Sequence, residues 1–391
     1  MFKAYVGSSM QSDPRQAGKE AAAGVKAGLS GMKAAFVYAS CDYDLPSVLS
    51  AIAAEVPGVP LFGNTSFTGV ITPEGYIGGD KPFVGMMAFS DPDMVVGVAS
   101  AAKDGCSVCK GREIAAAAMK AAGKDCPPDY FYMAASPAEE EFYLEGISAV
   151  IGRVPFFGGS AADNSIAGNW KLYAGDDLFA DGCVAAFFYG GPKMKNVFTG
   201  AYRETGDFGV ITETKGDRTL VTIDGTPAAA KYAAWLGVDS DKVTGGNLLV
   251  TAITSPLGVK DPLGKLTAIR HPMFGNPDGS MNIGNNLAEK TCVIRMEATV
   301  DELIASTGDT LKKLIAEMPG KPLAFHLVHC GGRRAGIGDR IGEVAAALKE
   351  AAGDVPFLTE FTFGEYGFER DGCNTCGGLM LSFTGFYEEE E

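Results

Sequence analysis

The sequence predicts an α/β protein made of two related halves, in which mixed sheets are flanked by helices. A unit of strand, helix and second strand occurs three times, and each second strand begins with the dipeptide Val-Pro. Because such a crossover favours parallel neighbours, each unit should place two parallel strands in one sheet. The apolar runs that follow are separated by turns rather than helices, which predicts additional antiparallel strands.

The first unit starts with the short apolar segment 34–39, which is typical of a buried strand. Asp44 is placed to cap the helix that follows, with Pro46 in its first turn. The Val-Pro strand covers 59–63, where proline is tolerated because a strand start can lose one hydrogen-bond donor. The apolar run 83–89 completes the unit as a further strand.

Two later segments repeat this order. The second unit consists of strand 130–133, helix 139–151, strand 154–158 and apolar run 184–189. The third unit consists of strand 323–328, helix 341–352, strand 355–358 and apolar run 379–383. The strand 291–296 and the helix 300–317 are expected in the same half as the third unit.

A domain boundary is predicted near 204–219, because this segment is polar, contains several glycines and lies between apolar segments. Directly after it, 221–236 has the pattern of a strand, a turn and a helix. We therefore divide the chain into domains 1–213 and 214–391.

Charge and composition restrict the possible partners. The chain has 33 Lys plus Arg against 48 Asp plus Glu, and its net charge of −15 disfavours nucleic acids and anionic membrane surfaces. It lacks the apolar core of a secretory signal, and no segment approaches the ~18 uninterrupted apolar residues of a membrane span. We therefore expect a cytoplasmic protein whose nine cysteines are mostly reduced thiols.

Six motifs spread over nearly the whole chain resemble the FIST family of intracellular sensory domains. They are PLFGNTSFTGVITPEGY (60–76), VPFFGGSAADN (154–164), VITETKGDRTLVTIDGTPAAAKYAAWLG (210–237), HLVHCGGRRAGIGDRIGEV (326–344), TFGEYG (362–367) and CNTCGGLMLSF (373–383). The third motif, at the junction between the family's N-terminal and C-terminal halves, is the most specific.

The resemblance implies a sensor of small ligands. FIST-like proteins are often fused to kinases, cyclases or chemotaxis modules, and this sequence contains no such output domain. We therefore expect a stand-alone sensor that signals to a separate protein. Some relatives are described as haem-binding nitric-oxide sensors, which makes haem binding an alternative function.

The loops after the first two Val-Pro strands are candidate ligand sites, because glycine lets a ligand approach the main chain and polar side chains stand beside it. The candidate residues in these loops are Gly63, Asn64, Thr65, Gly158, Gly159, Ser160, Asp163 and Asn164. The alternative is that the glycines only form turns.

Arg333 follows Gly331 and Gly332 at the end of a predicted strand, so its guanidinium is a candidate clamp for a carboxylate. The alternative is a structural ion pair with Glu365, which could instead accept a hydrogen bond from a ligand amine. Gly364 is interpreted as the third-unit equivalent of Gly63 and Gly158. The resemblance also adds Asn374, from the last FIST motif, to the candidate site.

The cysteines and histidines support alternatives based on a metal, haem or redox chemistry. Cys106 and Cys109 form a C-x-x-C pair before a predicted helix, as a redox pair requires. The second pair is Cys373 and Cys376, and Cys330 could join it as a third thiolate for zinc or an iron–sulfur cluster.

His271 is a candidate axial haem ligand. His326 and His329 lie three residues apart in a predicted strand, so they face opposite sides and cannot both bind one metal there. The sequence contains none of the familiar nucleophile, zinc-protease or phosphate-loop motifs, so nothing in it argues for an enzyme. We expect binding of a small polar ligand, such as an amino acid or another carboxylate.

Overall fold

A computed structural model describes residues 1–260, 266–368 and 373–389 of the chain. Three units share one layout, and a separate sheet is inserted into the third. The first unit contains β1 (Lys3–Ser9), α1 (Pro14–Lys26), β2 (Ala34–Ala39), α2 (Leu45–Glu55), β3 (Leu61–Thr65), β4 (Gly69–Thr72), β5 (Gly75–Gly78) and β6 (Val84–Ser90). The second contains β7 (Val95–Ala102), α3 (Ser107–Ala121), β8 (Tyr130–Ala135), α4 (Glu140–Ile151), β9 (Phe156–Ser160), β10 (Leu172–Ala174), β11 (Asp177–Phe179) and β12 (Gly182–Tyr189).

The third unit begins with β13 (Lys193–Thr199) and resumes after an insertion. The insertion contains β14 (Arg203–Lys215), β15 (Thr219–Ile223), β16 (Thr226–Pro227), α5 (Ala228–Leu236), a short 3₁₀ turn (Ser240–Val243), α6 (Asn247–Ala252), β17 (Leu257–Lys260), β18 (Thr267–Arg270), β19 (Pro272–Gly275), β20 (Met281–Ile283) and β21 (Cys292–Glu297). The unit then continues with α7 (Val300–Glu317), β22 (Gly320–Cys330), α8 (Gly331–Ile337), a 3₁₀ turn (Gly338–Arg340), α9 (Ile341–Ala352), β23 (Phe357–Thr362), β24 (Glu365–Phe368), β25 (Asn374–Gly377) and β26 (Leu381–Glu389).

Each unit builds four strands of a six-stranded sheet and receives the last two from another unit. The three sheets have the orders β1-β6-β2-β3-β10-β11, β7-β12-β8-β9-β24-β25 and β13-β26-β22-β23-β4-β5. The hairpin after the third strand of each unit therefore joins a neighbouring sheet, and the exchange closes in a ring of three. Among the described strands of these three sheets, only the central pair of each is parallel, as the crossover pattern predicts.

The three sheets face one shared aromatic core, and helices cover their outer faces. In β2, the side chains of Phe36 and Tyr38 pack into the shared core, while Val37 and Ala39 pack under α1 and α2. This alternation follows from the two-residue period of a strand. The second and third sheets are covered in the same way by α3 with α4 and by α7 with α9.

Local signals explain where several elements begin. The Asp13 side chain accepts the N–H of Gln16 at the start of α1, and Thr299 forms a capping box with Glu302 at the start of α7. Asp44 occupies the predicted cap position of α2, but its side chain makes no capping hydrogen bond.

The first hydrogen bond between each Val-Pro strand and its sheet is made by the proline carbonyl. The carbonyl oxygens of Pro60, Pro155 and Pro356 each accept an N–H from the neighbouring parallel strand. Because proline has no N–H of its own, the regular ladder starts one residue later, so the strands begin two residues after the predicted starts.

The α/β class and the mixed sheets flanked by helices are confirmed. The predicted division between 213 and 214 falls inside β14 and stays a prediction. Among the described residues, no helix has the length and apolar character needed to cross a membrane.

Candidate functional site

A cavity of about 280 Å³ lies where the loops after the parallel strands meet the insertion. Phe67 follows β3, Trp170 follows β9, and Phe363 follows β23, so each unit contributes one aromatic side chain. The insertion contributes mainly apolar groups, among them Leu249 and Met273. The cavity lies at the strand ends where ligands bind in α/β proteins.

The aromatic side chains contact one another along one wall. The ring centroids of Phe67 and Phe363 are 5.8 Å apart, and those of Trp170 and Phe363 are 6.2 Å apart with the planes nearly perpendicular. Trp170 Nε1 is buried and has no hydrogen-bond acceptor in the part of the chain that the structure describes. The wall therefore offers a large apolar surface with one unused donor.

Strained backbone surrounds this cavity. Its exposed lining residues, Ala138, Ile166 and Ala335, mark its mouth. The φ angles of Ala138 and Ile166 are 80° and 56°, and that of Leu379, deeper in the wall, is 55°. A positive φ is costly for a residue other than glycine, most of all for β-branched Ile166, and such strain concentrates at functional sites.

Arg218 forms the polar end of the cavity and connects the insertion to the second unit. Its guanidinium donates to the carbonyl of Gly284 at 2.5 Å, to Asn286 Oδ1 at 2.8 Å, and to the carboxylates of Glu140 and Glu141. Glu140 is the first residue of α4, so one arginine ties this helix to two loops of the insertion.

Two buried acceptors beside Arg218 have no donor. Glu140 and Asn285 are each about 1% exposed, and neither Glu140 Oε2 nor Asn285 Oδ1 has a hydrogen-bond partner among the described residues. A Cβ placed on Gly378, which lines the cavity, would lie 3.4 Å from Asn285 Oδ1. Asn285 Oδ1 therefore lies directly behind the cavity wall, and the side chain of the same asparagine donates to the other oxygen of the Glu140 carboxylate.

Burial and the neighbouring Glu141 carboxylate raise the pKa of Glu140 to about 7, and Arg218 counteracts part of this shift. The carboxyl group therefore changes charge near neutral pH, which is the range expected of a functional acid or base.

Two protein-family models together match most of the chain. The FIST N domain matches residues 33–226, and the FIST C domain matches residues 228–367. This chain belongs to the FIST family. FIST domains are recognised as small-ligand sensory domains, as the sequence motifs indicate. In this FIST protein the cavity is lined from both domains, with Trp170 and Arg218 from the first and Leu249 and Phe363 from the second.

Similarity to other known proteins is low. No curated protein matches the chain. Cyanuric acid hydrolase from A. caulinodans aligns over 99% of this chain and 100% of its own, with 10% identity and a TM-score of 0.38. PurLQS from Thermotoga maritima aligns over 99% of this chain and 73% of its own, with 11% identity and a TM-score of 0.25. Such scores support no conclusion about function.

The predicted ligand residue Asn64 lies in the shared core. Its Nδ2 donates to Glu360 Oε2 at 2.9 Å, and its Oδ1 accepts from the hydroxyl of Tyr132 at 2.9 Å. The Tyr38 hydroxyl lies 2.5 Å from His326 Nε2, which is 3.7 Å from Glu360 Oε1. All five side chains are fully buried, so they form a polar network between the sheets.

The structure corrects the interpretation of Gly364. In the parallel ladders, Val37 is opposite Gly63, Met133 is opposite Gly158, and Leu327 is opposite Thr359. Thr359, and not Gly364, is therefore the third-unit equivalent of the two glycines, and Glu360 corresponds to Asn64. Glu360 is five residues after the valine of its Val-Pro dipeptide, as Asn64 is in the first unit, so this spacing in the sequence would have identified the missed glutamate.

Glu360 predicts a pH dependence of stability. Burial raises its pKa from 4.5 to about 8, so between these values the folded protein keeps a proton that the unfolded chain has lost. The contribution of Glu360 to the free energy of unfolding therefore falls by about 1.4 kcal/mol per pH unit as the pH rises from 4.5 to about 8. Glu365, whose pKa burial raises to about 8, and Glu140 act in the same direction.

The three buried histidines affect stability over a lower pH range that overlaps this one. Burial lowers the pKa of His271 to about 4 and those of His326 and His329 to about 3, so their contributions are lost as the pH falls below 6.5. Between pH 6.5 and 8 the buried carboxyl groups determine the pH dependence of stability. The urea concentration at the midpoint of unfolding should therefore decrease as the pH rises. Glu360→Gln should flatten this decrease, whereas exposed Glu350→Gln should not. An unchanged slope in Glu360→Gln would contradict the assignment.

Arg333 is fully buried, and its two terminal nitrogens already donate to acceptors in the protein, while its buried Nε has no partner among the described residues. Nη1 donates to the carbonyl of Gly200 at 2.7 Å, and Nη2 donates to the carbonyl of Leu303 at 2.9 Å and to Ser306 Oγ at 2.7 Å. Its role as a ligand clamp stays a prediction. These contacts instead join β22 and α8 to α7 and to the end of β13.

The other predicted ligand residues bind parts of the chain itself. Asp163 accepts the N–H groups of Ser165, Ala167 and Asn169, which shapes the loop that leads to Trp170. Further contacts join Thr65 to Lys171, Ser160 to Tyr366, Asn164 to Thr68 and Asp42, Glu365 to Thr362 and Met380, and Asn374 to Val154.

Three of the predicted glycines make close backbone contacts. A Cβ on Gly63 would lie 2.0 Å from the carbonyl oxygen of Val37, and one on Gly158 would lie 1.9 Å from that of Met133. A Cβ on Gly159 would lie 2.5 Å from the Thr362 side chain. None of the predicted ligand residues, all of which the structure describes, lines the cavity. The predicted loops support the site, and the residues that follow them form its surface.

The metal and haem alternatives do not fit the observed side chains. Cys330 Sγ accepts the N–H groups of Gly332 and Leu379, and burial raises the pKa of its thiol, which opposes the thiolate that a metal requires. Burial also raises the pKa of Cys376, and within the described ranges no cluster of three metal-ligating side chains occurs. Cys373 is exposed.

His271 lines the cavity, but its Nε2 lies 3.0 Å from the carbonyl of Leu249, to which it donates as a neutral imidazole. A cavity of about 280 Å³ is also smaller than a porphyrin. We therefore derive no chemistry through haem.

Proposed function

We propose that this FIST protein is a sensor whose cavity binds an amino acid, or a related small carboxylate, with a largely apolar side chain. The volume of about 280 Å³ lies just below the usual range of ~300–1,000 Å³ for ligand pockets, which favours a ligand of amino-acid size. The side chain would lie against Phe67, Trp170 and Phe363. The ligand carboxylate would accept from Trp170 Nε1 and face Arg218.

The two unpartnered acceptors are the reason for proposing that the ligand has an amine. A buried acceptor without a donor costs about 1–3 kcal/mol, and an ammonium group that approached Glu140 Oε2 and Asn285 Oδ1 would recover this loss. Because the pKa of Glu140 is raised to about 7, an ammonium ion would bind best to its ionised form. Affinity should therefore increase between pH 6 and pH 8.

The position of the cavity between the two FIST domains supports a sensory role. A ligand that contacts Trp170 and Arg218 in one domain and Leu249 and Phe363 in the other favours the arrangement in which both sets of contacts form. The change in population would then be transmitted to a separate signalling protein.

A series of matched ligands tests this proposal. Leucine and phenylalanine should raise the melting temperature at millimolar concentration, since ligand stabilisation follows mass action. The deaminated acid and the carboxamide analogue of each should bind at least about tenfold more weakly by calorimetry, because each lacks one charge-assisted hydrogen bond.

Glu140→Gln should reduce the preference for the amine and leave the preference for the carboxylate unchanged. If no amino acid or organic acid stabilises the protein at millimolar concentration, the proposal is wrong. If the deaminated acid binds as tightly as the amino acid, the role assigned to Glu140 is wrong.

A further inference from the structure

A disulfide joins Cys106 and Cys109 at the start of α3, on the outer face of the second unit. This corrects the expectation of reduced thiols for these two residues, while the other seven cysteines are not in disulfides. Both cysteines of the pair are exposed, so a thiol reagent can reach them.

The two sulfurs differ in their surroundings. Cys106 is the N-cap residue of the 15-residue helix α3, and its Sγ accepts the N–H of Cys109 at 3.1 Å. A hydrogen bond from the main chain and the positive end of the helix dipole both stabilise a thiolate at this position. Cys106 is therefore the better leaving group on reduction and the better nucleophile on reoxidation.

The first turn of α3 contacts the residue that precedes α4. Ser107 Oγ donates to Glu139 Oε2 at 2.6 Å, and Lys103 pairs with the other oxygen of the same carboxylate. Glu139 lies between Ala138 at the cavity mouth and Glu140 in the polar cluster.

The two helices also pack closely below this contact. A Cβ on Gly111 of α3 would lie only 2.4 Å from the carbonyl oxygen of Tyr143 and 3.0 Å from Gly146 Cα, both in α4. The start of α3 is therefore in direct contact with the segment that connects the cavity mouth to Glu140.

We infer that Cys106 and Cys109 form a reversible dithiol–disulfide exchange site whose oxidation state is transmitted to the cavity through Ser107 and Glu139. A dithiol reductant supplies two electrons and two protons. One of its thiolates attacks Cys109 Sγ, the S–S bond breaks, and Cys106 leaves as a thiolate that is then protonated. The second thiol of the reductant displaces Cys109 from the mixed disulfide, and the reductant leaves as a cyclic disulfide.

Alkylation and mass spectrometry test the exchange in a chain in which Cys126, Cys292 and Cys373 are replaced by serine. Excess dithiothreitol should expose two alkylatable thiols at 106 and 109, and oxidised glutathione should remove both reversibly. In single variants, the Cys106 thiol that remains in Cys109→Ser should react with glutathione disulfide about tenfold faster than the Cys109 thiol that remains in Cys106→Ser. A pair that never oxidises, or equal rates, would overturn the inference.

Fluorescence tests the transmission without a ligand. The chain has two tryptophans, so Trp235→Phe leaves Trp170 at the cavity as the sole tryptophan. Its emission should differ between the oxidised and reduced protein, and this difference should vanish in Ser107→Ala. Identical emission in both states would overturn the coupling. This part depends on the cavity but not on its ligand, because the double variant Cys106→Ser/Cys109→Ser should still bind amino acids if the proposed function is correct.

Discussion

Arg218→Ala should lower the free energy of unfolding by about 3 kcal/mol at pH 8, because it removes the cation from a buried ion pair. Glu140 is 1% exposed and would lose its nearby positive charge, while Glu141, Asn286 and the carbonyl of Gly284 would each lose a donor. The loss should be smaller at pH 6, where Glu140, whose pKa is about 7, is already protonated. Urea unfolding at the two pH values measures both effects.

Arg340 provides a matched control. Its guanidinium also pairs with two carboxylates, those of Asp301 at 2.6 Å and Glu343 at 2.7 Å, but all three side chains are well exposed. Such a surface pair contributes about 0–1 kcal/mol, so Arg340→Ala should have little effect. Adding Glu140→Gln to Arg218→Ala should recover part of the stability at pH 8. Equal losses of unfolding free energy in the two arginine variants would show that the ion pairs of Arg218 stabilise the protein no more than those of a surface arginine.

Ala335→Phe should reduce amino-acid binding by at least about a hundredfold. Ala335 lies in α8 at the cavity mouth and is exposed, so a phenyl ring there can fill the entrance without displacing the core. A blocked entrance removes the whole binding energy rather than one contact, which is why this effect exceeds that of any polar substitution at the site. Calorimetry with phenylalanine or leucine measures the loss.

The control is Ala117→Phe, the same substitution at an exposed alanine of α3 on the outer face of the second unit. Both variants should melt within a few degrees of the parent protein, and only Ala335→Phe should lose binding. Unchanged affinity in Ala335→Phe would mean that the ligand binds elsewhere, and the large open groove beside Tyr76 and Arg334 would then be the next region to examine.

The local fold could be predicted because its signals lie close together in sequence. The segment 34–39 and the helix 341–352 have the bounds expected from their apolar pattern and flanking residues. The exchange of hairpins could not be predicted in this way. Ile71 of β4 pairs with Thr359 of β23, and nothing near either residue specifies a partner so distant in the chain.

The site was harder to predict than the fold for a related reason. Phe67, Trp170 and Phe363 have the character of core residues, and only their position after three equivalent strands places them around one cavity. Arg218 lies in the polar segment interpreted as a domain boundary, where a charged side chain suggests solvent. Its burial depends on Glu140 in the second unit, which the local sequence does not indicate.

The ring of exchanged hairpins has a consequence for synthesis of the chain. When β4 leaves the ribosome its pairing partner β23 has not yet been made, and β9 must likewise wait for β24. The β4-β5 hairpin and the second sheet therefore keep unpaired edges, which attract other extended segments, until the last unit emerges. Folding is completed by long-range pairings, which form slowly because distant parts of the chain must first meet. The nascent protein is thus most vulnerable to aggregation just before its final strands are added, and neither FIST domain has a full set of strands on its own.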